Sequence, residues 1–435
     1  MTTKEISPRE IVLGVLMDVT KHDVMSHIAL RNVLEKYQYL DKRDRAFITR
    51  VSEGTIERML ELDYIIDRFS NTKTRKMKPV ILNILRSAVY QMKYMDSVPD
   101  SAACNDAVQL AVRKGFKNLR GFVNGVLRSI ARGLDEVEMP DPSDKVRYLS
   151  VVYSMPEWIV RQWISSYGEE TAEEMLASLY RERPTAIRCN VHQIRPEALM
   201  EKLKEEGVEA RRHPEFSEVL LISGYDHLGA LESFRAGDFQ VQDAASVRVA
   251  EAAGIQEGDY VIDVCAAPGG KALHAAQILN GTGHVEARDL TEQKTALIWD
   301  NIDRMGFKNI EAVCQDALVR VEESVEKADV VIADLPCSGL GVLAKKTDLK
   351  YRMTEAQQKE LAALQREILR VTADYVKPGG TLIYSTCTIN KGENEENAAW
   401  FAETCTQFEL VWEKQILPIE EETDGFYIAR FEKRR

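Results

Sequence analysis

Two cysteines stand where reactive groups would be expected. Cys337 lies in Asp334-Leu335-Pro336-Cys337-Ser338-Gly339, directly after the apolar run Val330–Ala333, and Cys387 lies in Ser385-Thr386-Cys387-Thr388, directly after Thr381–Tyr384. If both runs are parallel strands of one sheet, the two thiols share its carboxyl edge, where ligands of such sheets bind. A third run, Tyr260–Ile262, leads into Asp263-Val264-Cys265-Ala266-Ala267-Pro268-Gly269-Gly270-Lys271 and then a helix. Small residues there let backbone approach a ligand, and a helix start presents free N–H groups. Asp289 follows Gly269 by 20 residues, where a second strand should end, and can accept both hydrogen bonds of a ribose diol. Asp316, after Ala312–Cys314, is placed to receive an adenine amino group, and Asp334 ends the next strand. The turn is not a phosphate loop, because Gly-Gly-Lys-Ala has neither the spacing nor the hydroxyl, and no GxGxxG is present. An adenosine-bearing cofactor without a pyrophosphate fits best: S-adenosylmethionine.

A methyl donor beside two thiols suggests a specific chemistry. The C5 carbon of a pyrimidine does not attack a methyl group unaided. A thiolate adding at C6 places electron density on C5, and after alkylation the C5 proton and the thiolate must both leave. One reactive thiol and a second releasing group are needed, and spacing alone does not say which cysteine is which. Cys265 borders the turn and reads as part of its wall. Cys104, Cys189, Cys314 and Cys405 read as small buried hydrophobes. Lys271 is placed to touch either substrate or a cofactor carboxylate.

The elements that would position these groups follow from periodicity. From about residue 236 onward, strand, glycine turn and helix alternate, with helices at Glu292–Met305 and Thr354–Tyr375; this predicts a mostly parallel sheet covered on both faces. Phe408–Trp412 and Phe426–Phe431 read as an antiparallel addition at its edge. The first 138 residues read as helices, with apolar stripes such as Ile11-Val12-Val15-Leu16-Val19 and Phe122-Val123-Val126-Leu127-Ile130. The linker Met139–Asp144 holds two prolines, and residues 145–235 read as a small α+β domain with strands near Ala186–Asn190 and Glu218–Ile222 around a helix near Pro196–Glu206. The expected division is therefore 1–138, 145–235 and 236–435.

Length agrees, since 435 residues suggest two to four domains at roughly 100–200 residues each. No run approaches the about 18 apolar residues of a membrane span, and Met1–Glu10 has no apolar signal region. Seven cysteines without CxxC pairs point to a reducing cytoplasm and no metal. The net charge of −12 is uneven: residues 1–132 carry 23 Lys+Arg against 15 Asp+Glu (+8), residues 133–250 carry 13 against 22 (−9), and residues 251–435 carry 21 against 32 (−11). A basic first third suits a polyanion-binding module. Arg43, Arg45, Lys73, Arg75, Lys76 and Lys78 are clustered enough in sequence to be its candidate contacts.

The runs Asp263–Lys271 (DVCAAPGGK), Asp334–Gly339 (DLPCSG) and Ser385–Glu396 (STCTINKGENEE) resemble the motifs of RNA cytosine-5 methyltransferases. Leu40–Phe47, Phe122–Arg128 and Gln242–Ser246 extend the resemblance to the RsmB/Sun (Fmu) family, bacterial 16S ribosomal RNA methyltransferases with a NusB-like N-terminal domain. The resemblance implies three parts: an all-α NusB-like RNA-binding domain, a small α+β domain, and a C-terminal α/β Rossmann-like class I S-adenosylmethionine-dependent methyltransferase domain. It implies that Cys265, Ala266, Ala267, Pro268, Gly269, Gly270, Lys271, Asp289, Asp316 and Asp334 bind S-adenosylmethionine, that Cys387 adds to C6, and that Cys337 assists collapse of the adduct. Asp334, beside Cys337, is further placed to protonate or hydrogen-bond the base at N3. The implied substrate is cytosine 967 of 16S ribosomal RNA, acted on by a monomer. A transfer RNA or DNA substrate is the same chemistry elsewhere. A non-catalytic RNA-binding or antitermination module would explain the first 130 residues alone and leave the cysteines and acids without purpose.

Overall fold

The computed structural model describes residues 6–420 and 423–435. The first half of the segment read for a signal region, residues 1–5, lies outside them. Contacts divide the chain into two compact units, Met1–Ala177 with Leu343–Arg352, and Ser178–Val342 with Met353–Arg435. This division differs from the composition-based one. The helices Lys145–Val152 and Glu157–Tyr167 group with the N-terminal helices, and a ten-residue stretch from late in the chain joins them.

The first unit is helical. Seven helices of 11 to 16 residues between Pro8 and Gly133 bury one stripe each, and Leu16, Ile48, Leu62, Ile65, Leu85, Val123 and Leu127 are completely enclosed. Local signals set their starts: Pro8 and Pro79 occupy first-turn positions, and Asp41 accepts from Asp44 N at 2.8 Å. The helix Ser26–Lys36 has no cap of its own. Its cap comes from Asp348, whose Oδ2 accepts from Ser26 N (3.0 Å) and Oδ1 from Ser26 Oγ (2.6 Å). Arg352 braces Asp348 at 2.7 Å and donates to Val24 O at 2.6 Å, while Lys350 Nζ donates to Glu57 O at 2.8 Å. The stretch 343–352 is thus built into this unit by buried polar contacts.

The second unit holds two sheets. The smaller comprises β1 (Thr185–Cys189), β2 (Glu209–Arg212), β3 (Val219–Ser223) and β4 (Phe239–Val241), antiparallel in the order β2-β3-β1-β4. The larger contains β5 (Tyr260–Asp263), β6 (His284–Asp289), β7 (Ile310–Cys314), β8 (Ala328–Asp334), β9 (Val376–Thr386), β10 (Phe408–Ile416) and β11 (Phe426–Lys433), in the order β10-β11-β9-β8-β5-β6-β7. Strands β5 to β9 run parallel, and β11 and β10 are antiparallel. Apolar layers on the two faces of this sheet cover it, one around Val261, Val330 and Ile383 and one around Ile262, Val331 and Leu382. Burial on both faces explains why β5 and β8 read as unbroken apolar runs. The order reverses between β5 and β8, and a ligand crevice opens at such a switch point.

Candidate active site

The carboxyl ends of the five parallel strands bring the sequence-flagged residues to one edge. Asp263 ends β5, Asp289 ends β6, Asp316 lies two residues past β7, Asp334 ends β8, and Cys387 follows β9 directly. After β5 the chain turns through Gly269 at φ +108°, which side chains rarely adopt, and enters the helix Gly270–Ile278. The turn is fastened to β6: Ala266 N donates to Arg288 O at 2.8 Å and Ala267 N to Asp289 Oδ2 at 2.9 Å. Asp289 is almost fully buried, and its Oδ1 accepts from Leu290 N (2.8 Å) and pairs with Lys294 Nζ (2.9 Å). Asp316 is half-buried and accepts from Leu318 N at 2.9 Å.

Asp334 sits nearer the cysteines. Its Oδ2 takes Lys271 Nζ at 2.6 Å, and its Oδ1 takes Ser385 Oγ at 2.8 Å. Burial opposes the charge on Lys271, but the carboxylates of Asp334 and Asp263, together with the Cys387 sulfur, outweigh it and hold the ammonium above its ordinary range. Asp263 is 1% exposed, and its Oδ2 has no hydrogen-bond partner among the described residues. Burial, reinforced by Asp334, pushes its carboxyl up to about 7. Burial and the charges of Asp263, Asp289 and Asp334 raise the Cys265 thiol, which suits a wall and not a reagent.

The two cysteines meet. Cys337 Sγ lies 3.4 Å from Cys387 Sγ, each only partly exposed. Their loops are tied by Gly341 N, which donates to Cys387 O at 3.1 Å. A Cβ on Gly341 would stand 1.9 Å from Gly425 O and 2.8 Å from Cys387 O, so only glycine permits this approach. The Cys337 thiol is pushed well above its ordinary range, first by its hydrogen bond to Cys387, then by burial and by the charges of Cys387 and Glu393. Cys104, Cys189 and Cys405 are buried as expected. Cys314 is not: it lies exposed at the end of β7, because that strand is the sheet's outer edge. Sequence reasoning missed Asp263 as a strained acid, the Lys271–Asp334 pair, and Glu393, which was one acid in a polar run.

Among the described residues no group of three or more His, Cys, Asp or Glu could hold a metal, and no helix is long and apolar enough to cross a membrane. A glycine turn after the first strand, acids closing successive strands and a reversed strand order define a class I S-adenosylmethionine-dependent methyltransferase fold. Residues 251–432 match the family described as 16S rRNA methyltransferase RsmB/F, residues 6–132 the NusB family, and residues 155–225 the ferredoxin-like domain of RsmF/B-like methyltransferases. A probable ribosomal RNA small subunit methyltransferase B of Bacillus subtilis is 35% identical over 99% of this chain and all of the relative. Its counterpart in Synechocystis is 30% identical over 98% of this chain and all of the relative. The crystal structure of PH0851 superposes with a TM-score of 0.84 at 26% identity, over 99% of this chain and 100% of that one. The chain belongs to the ribosomal RNA small subunit methyltransferase B family.

Proposed function

We propose that this chain methylates C5 of a cytosine in small-subunit ribosomal RNA, at position 967 of 16S RNA, through a covalent adduct between Cys387 and C6. The observation that carries this reading is the 3.4 Å contact between Cys337 Sγ and Cys387 Sγ beside the Lys271–Asp334 pair. The turn Cys265–Lys271 with Asp289 and Asp316 would hold S-adenosylmethionine. The tight Gly269 bend, the partnerless buried oxygen of Asp263 and the row of acids suit a ligand that is cationic at one end and carries a nucleoside. When bound, S-adenosylmethionine supplies an electrophilic methyl group.

The chain's own residues do the rest. Asp334 ends β8 with Lys271 and Ser385 on its two oxygens, so it is oriented to accept from the exocyclic amine of the base and to hold a proton on N3 by accepting from N3–H, which makes the ring a better electron sink. Lys271, held charged, places an ammonium near the sulfur that adds. Cys387, having given up its thiol proton to solvent, forms the S–C6 bond as the C5=C6 pair moves onto C5 to take the methyl group. The C5 proton then passes to solvent water, its bonding pair re-forms C5=C6, and Cys387 leaves C6 as a thiolate, with Cys337 assisting this collapse at contact distance. A base inside a helix cannot reach such a crevice, so the target is unpaired or extruded. In the helical unit Arg43, Lys73, Arg75, Lys76 and Lys78 are exposed, which suits phosphate contacts, while Arg45 is half-buried and donates to Leu40 O at 2.8 Å. All the reacting groups come from one chain, so a monomer suffices.

The test is incubation of the protein with a radiolabelled methyl donor and total RNA from a strain lacking the gene. Label in 16S RNA, recovered as 5-methylcytosine at nucleotide 967, supports the reading. Label confined to transfer RNA, or to another base atom, sinks it.

A further inference from the structure

Behind the two sulfurs lies a carboxylate for which the reaction above has no use. Glu393 ends the single 3-10 turn Lys391–Glu393 and has no exposed surface. Its Oε1 accepts from Ser338 N at 2.8 Å and from Gln365 Nε2 at 3.3 Å. Its Oε2 accepts from Ser338 Oγ at 2.6 Å and from Asn390 Nδ2 at 2.9 Å. Because Ser338 gives its proton to the carboxylate, the 2.8 Å contact between Ser338 Oγ and Thr388 Oγ1 must be a donation from Thr388. The same Gln365 amide also reaches Pro336 O at 2.8 Å, and Tyr384 Oη donates to the Glu393 carbonyl.

The donors come from three stretches: Ser338 directly follows Cys337, Gln365 belongs to the helix Glu355–Ala373, and Asn390 lies in the segment that carries Cys387, whose Thr388 joins the network through Ser338 Oγ. A carboxylate taken out of water is costly unless its lone pairs are filled, and here four donors fill them. Two of the four come from one residue, the neighbour of a reacting cysteine. Only an acceptor with two equivalent oxygens satisfies both Ser338 donors at once.

We propose that Glu393 is a positioning residue of the methylation reaction, clamping the loop that carries Cys337 onto the segment that carries Cys387 so that the two sulfurs stay in contact. This rests on the two-thiol reading above and deepens it. The charge of Glu393 acts in the same sense as its geometry. Cys337 faces Cys387, Glu393 and the Tyr384 hydroxyl, and the acid is one of the influences that keep its thiol protonated. A sulfur held protonated is a poor nucleophile.

The test uses the full chain and two variants. Glu393→Gln keeps the shape but turns one acceptor into a donor facing donors. Product formation should fall by on the order of tenfold or more, as small displacements of reacting groups do, while affinity for S-adenosylhomocysteine stays within about twofold. In a Cys387→Ala background, the pH midpoint for iodoacetamide alkylation of Cys337, read by peptide mass spectrometry, should move down when Glu393→Gln is added. Ser338→Ala keeps the charge and the backbone donor but removes the Oγ link to Glu393 and Thr388, so it should loosen the loop and slow product formation while leaving that midpoint in place. It also decides the matter if Glu393→Gln does not fold. Turnover at the wild-type rate in either variant, an unmoved midpoint in Glu393→Gln, or loss of S-adenosylhomocysteine binding along with turnover overturns the proposal. A wild-type chain inactive on every RNA would sink the methylation reading instead, and the alkylation midpoints would still decide the role of Glu393.

Discussion

Replacing Asp263 with asparagine should make the methyltransferase-fold unit more stable at alkaline pH and leave it near wild type in acid. Asp263 ends β5 with 1% of its surface exposed, and its Oδ2 has no partner among the described residues. Burial and the neighbouring Asp334 raise its carboxyl from the ordinary 3.8 to about 7. The folded chain therefore holds this proton more tightly than the unfolded chain does. Stability from that difference is fully present below about pH 4 and is lost progressively as pH rises to about 7, with no further loss above. At ~1.4 kcal/mol per pH unit, a gap of about 3 amounts to on the order of 4 kcal/mol, with the opposing charge of Lys271 already included. Asparagine fills the same volume, carries no charge and places an amide where the lone oxygen stood, so its stability should be flat over the same range. Scanning calorimetry without added cofactor, from pH 4 to pH 9, resolves this unit's transition. The advantage of Asp263→Asn over wild type should grow through the interval and level off. Parallel curves, or an advantage that shrinks as pH rises, would show that the carboxyl ionises freely and that the reasoning is wrong.

Further outcomes follow from the same geometry. Cys387→Ala should give neither methylated RNA nor a protein–RNA adduct, whereas Cys337→Ala should accumulate an adduct visible as a shifted band on a denaturing gel; the opposite pattern would exchange the two roles. Asp334→Asn should lower turnover by on the order of 10²-fold, the usual scale for losing a proton-handling group, and full turnover would remove Asp334 from the chemistry. Neutralising Lys73, Arg75, Lys76 and Lys78 together should flatten the salt dependence of RNA binding by about three in log–log slope, at 0.7–0.9 per phosphate contact. An unchanged slope in a filter-binding titration would remove this surface from the RNA interface.

Much of the catalytic unit was legible because its signals are local. A strand buried on both faces must be an apolar run, so Tyr260–Ile262, Val330–Ala333 and Thr381–Tyr384 were readable, and the helix Glu292–Met305 has the predicted ends. The edge strand β2 was not readable. Its residues Glu209–Arg212 include three exposed positions and offer no alternation of apolar and polar side chains. Its partner β3 alone specifies it, through backbone pairing. The convergence of Asp289, Asp316, Asp334 and the two cysteines followed from strand ends. The pairing of Lys271 with Asp334 and the closure of Glu393 on Ser338 depend on side-chain directions that spacing does not encode. Contacts group helices Lys145–Val152 and Glu157–Tyr167 with the N-terminal helices, which their sequence does not indicate: their apolar faces are visible, but nothing in them says which core receives them.

The Asp348 cap on Ser26 has a consequence for how the chain is made. The two residues are 322 positions apart, so a nascent N-terminal portion leaving the ribosome cannot complete its own architecture. Its second helix has only water to cap its first turn until most of the polypeptide has been translated. Synthesis order and folding order are therefore uncoupled at this point, and the early segment must persist as an incomplete bundle while the rest is being added.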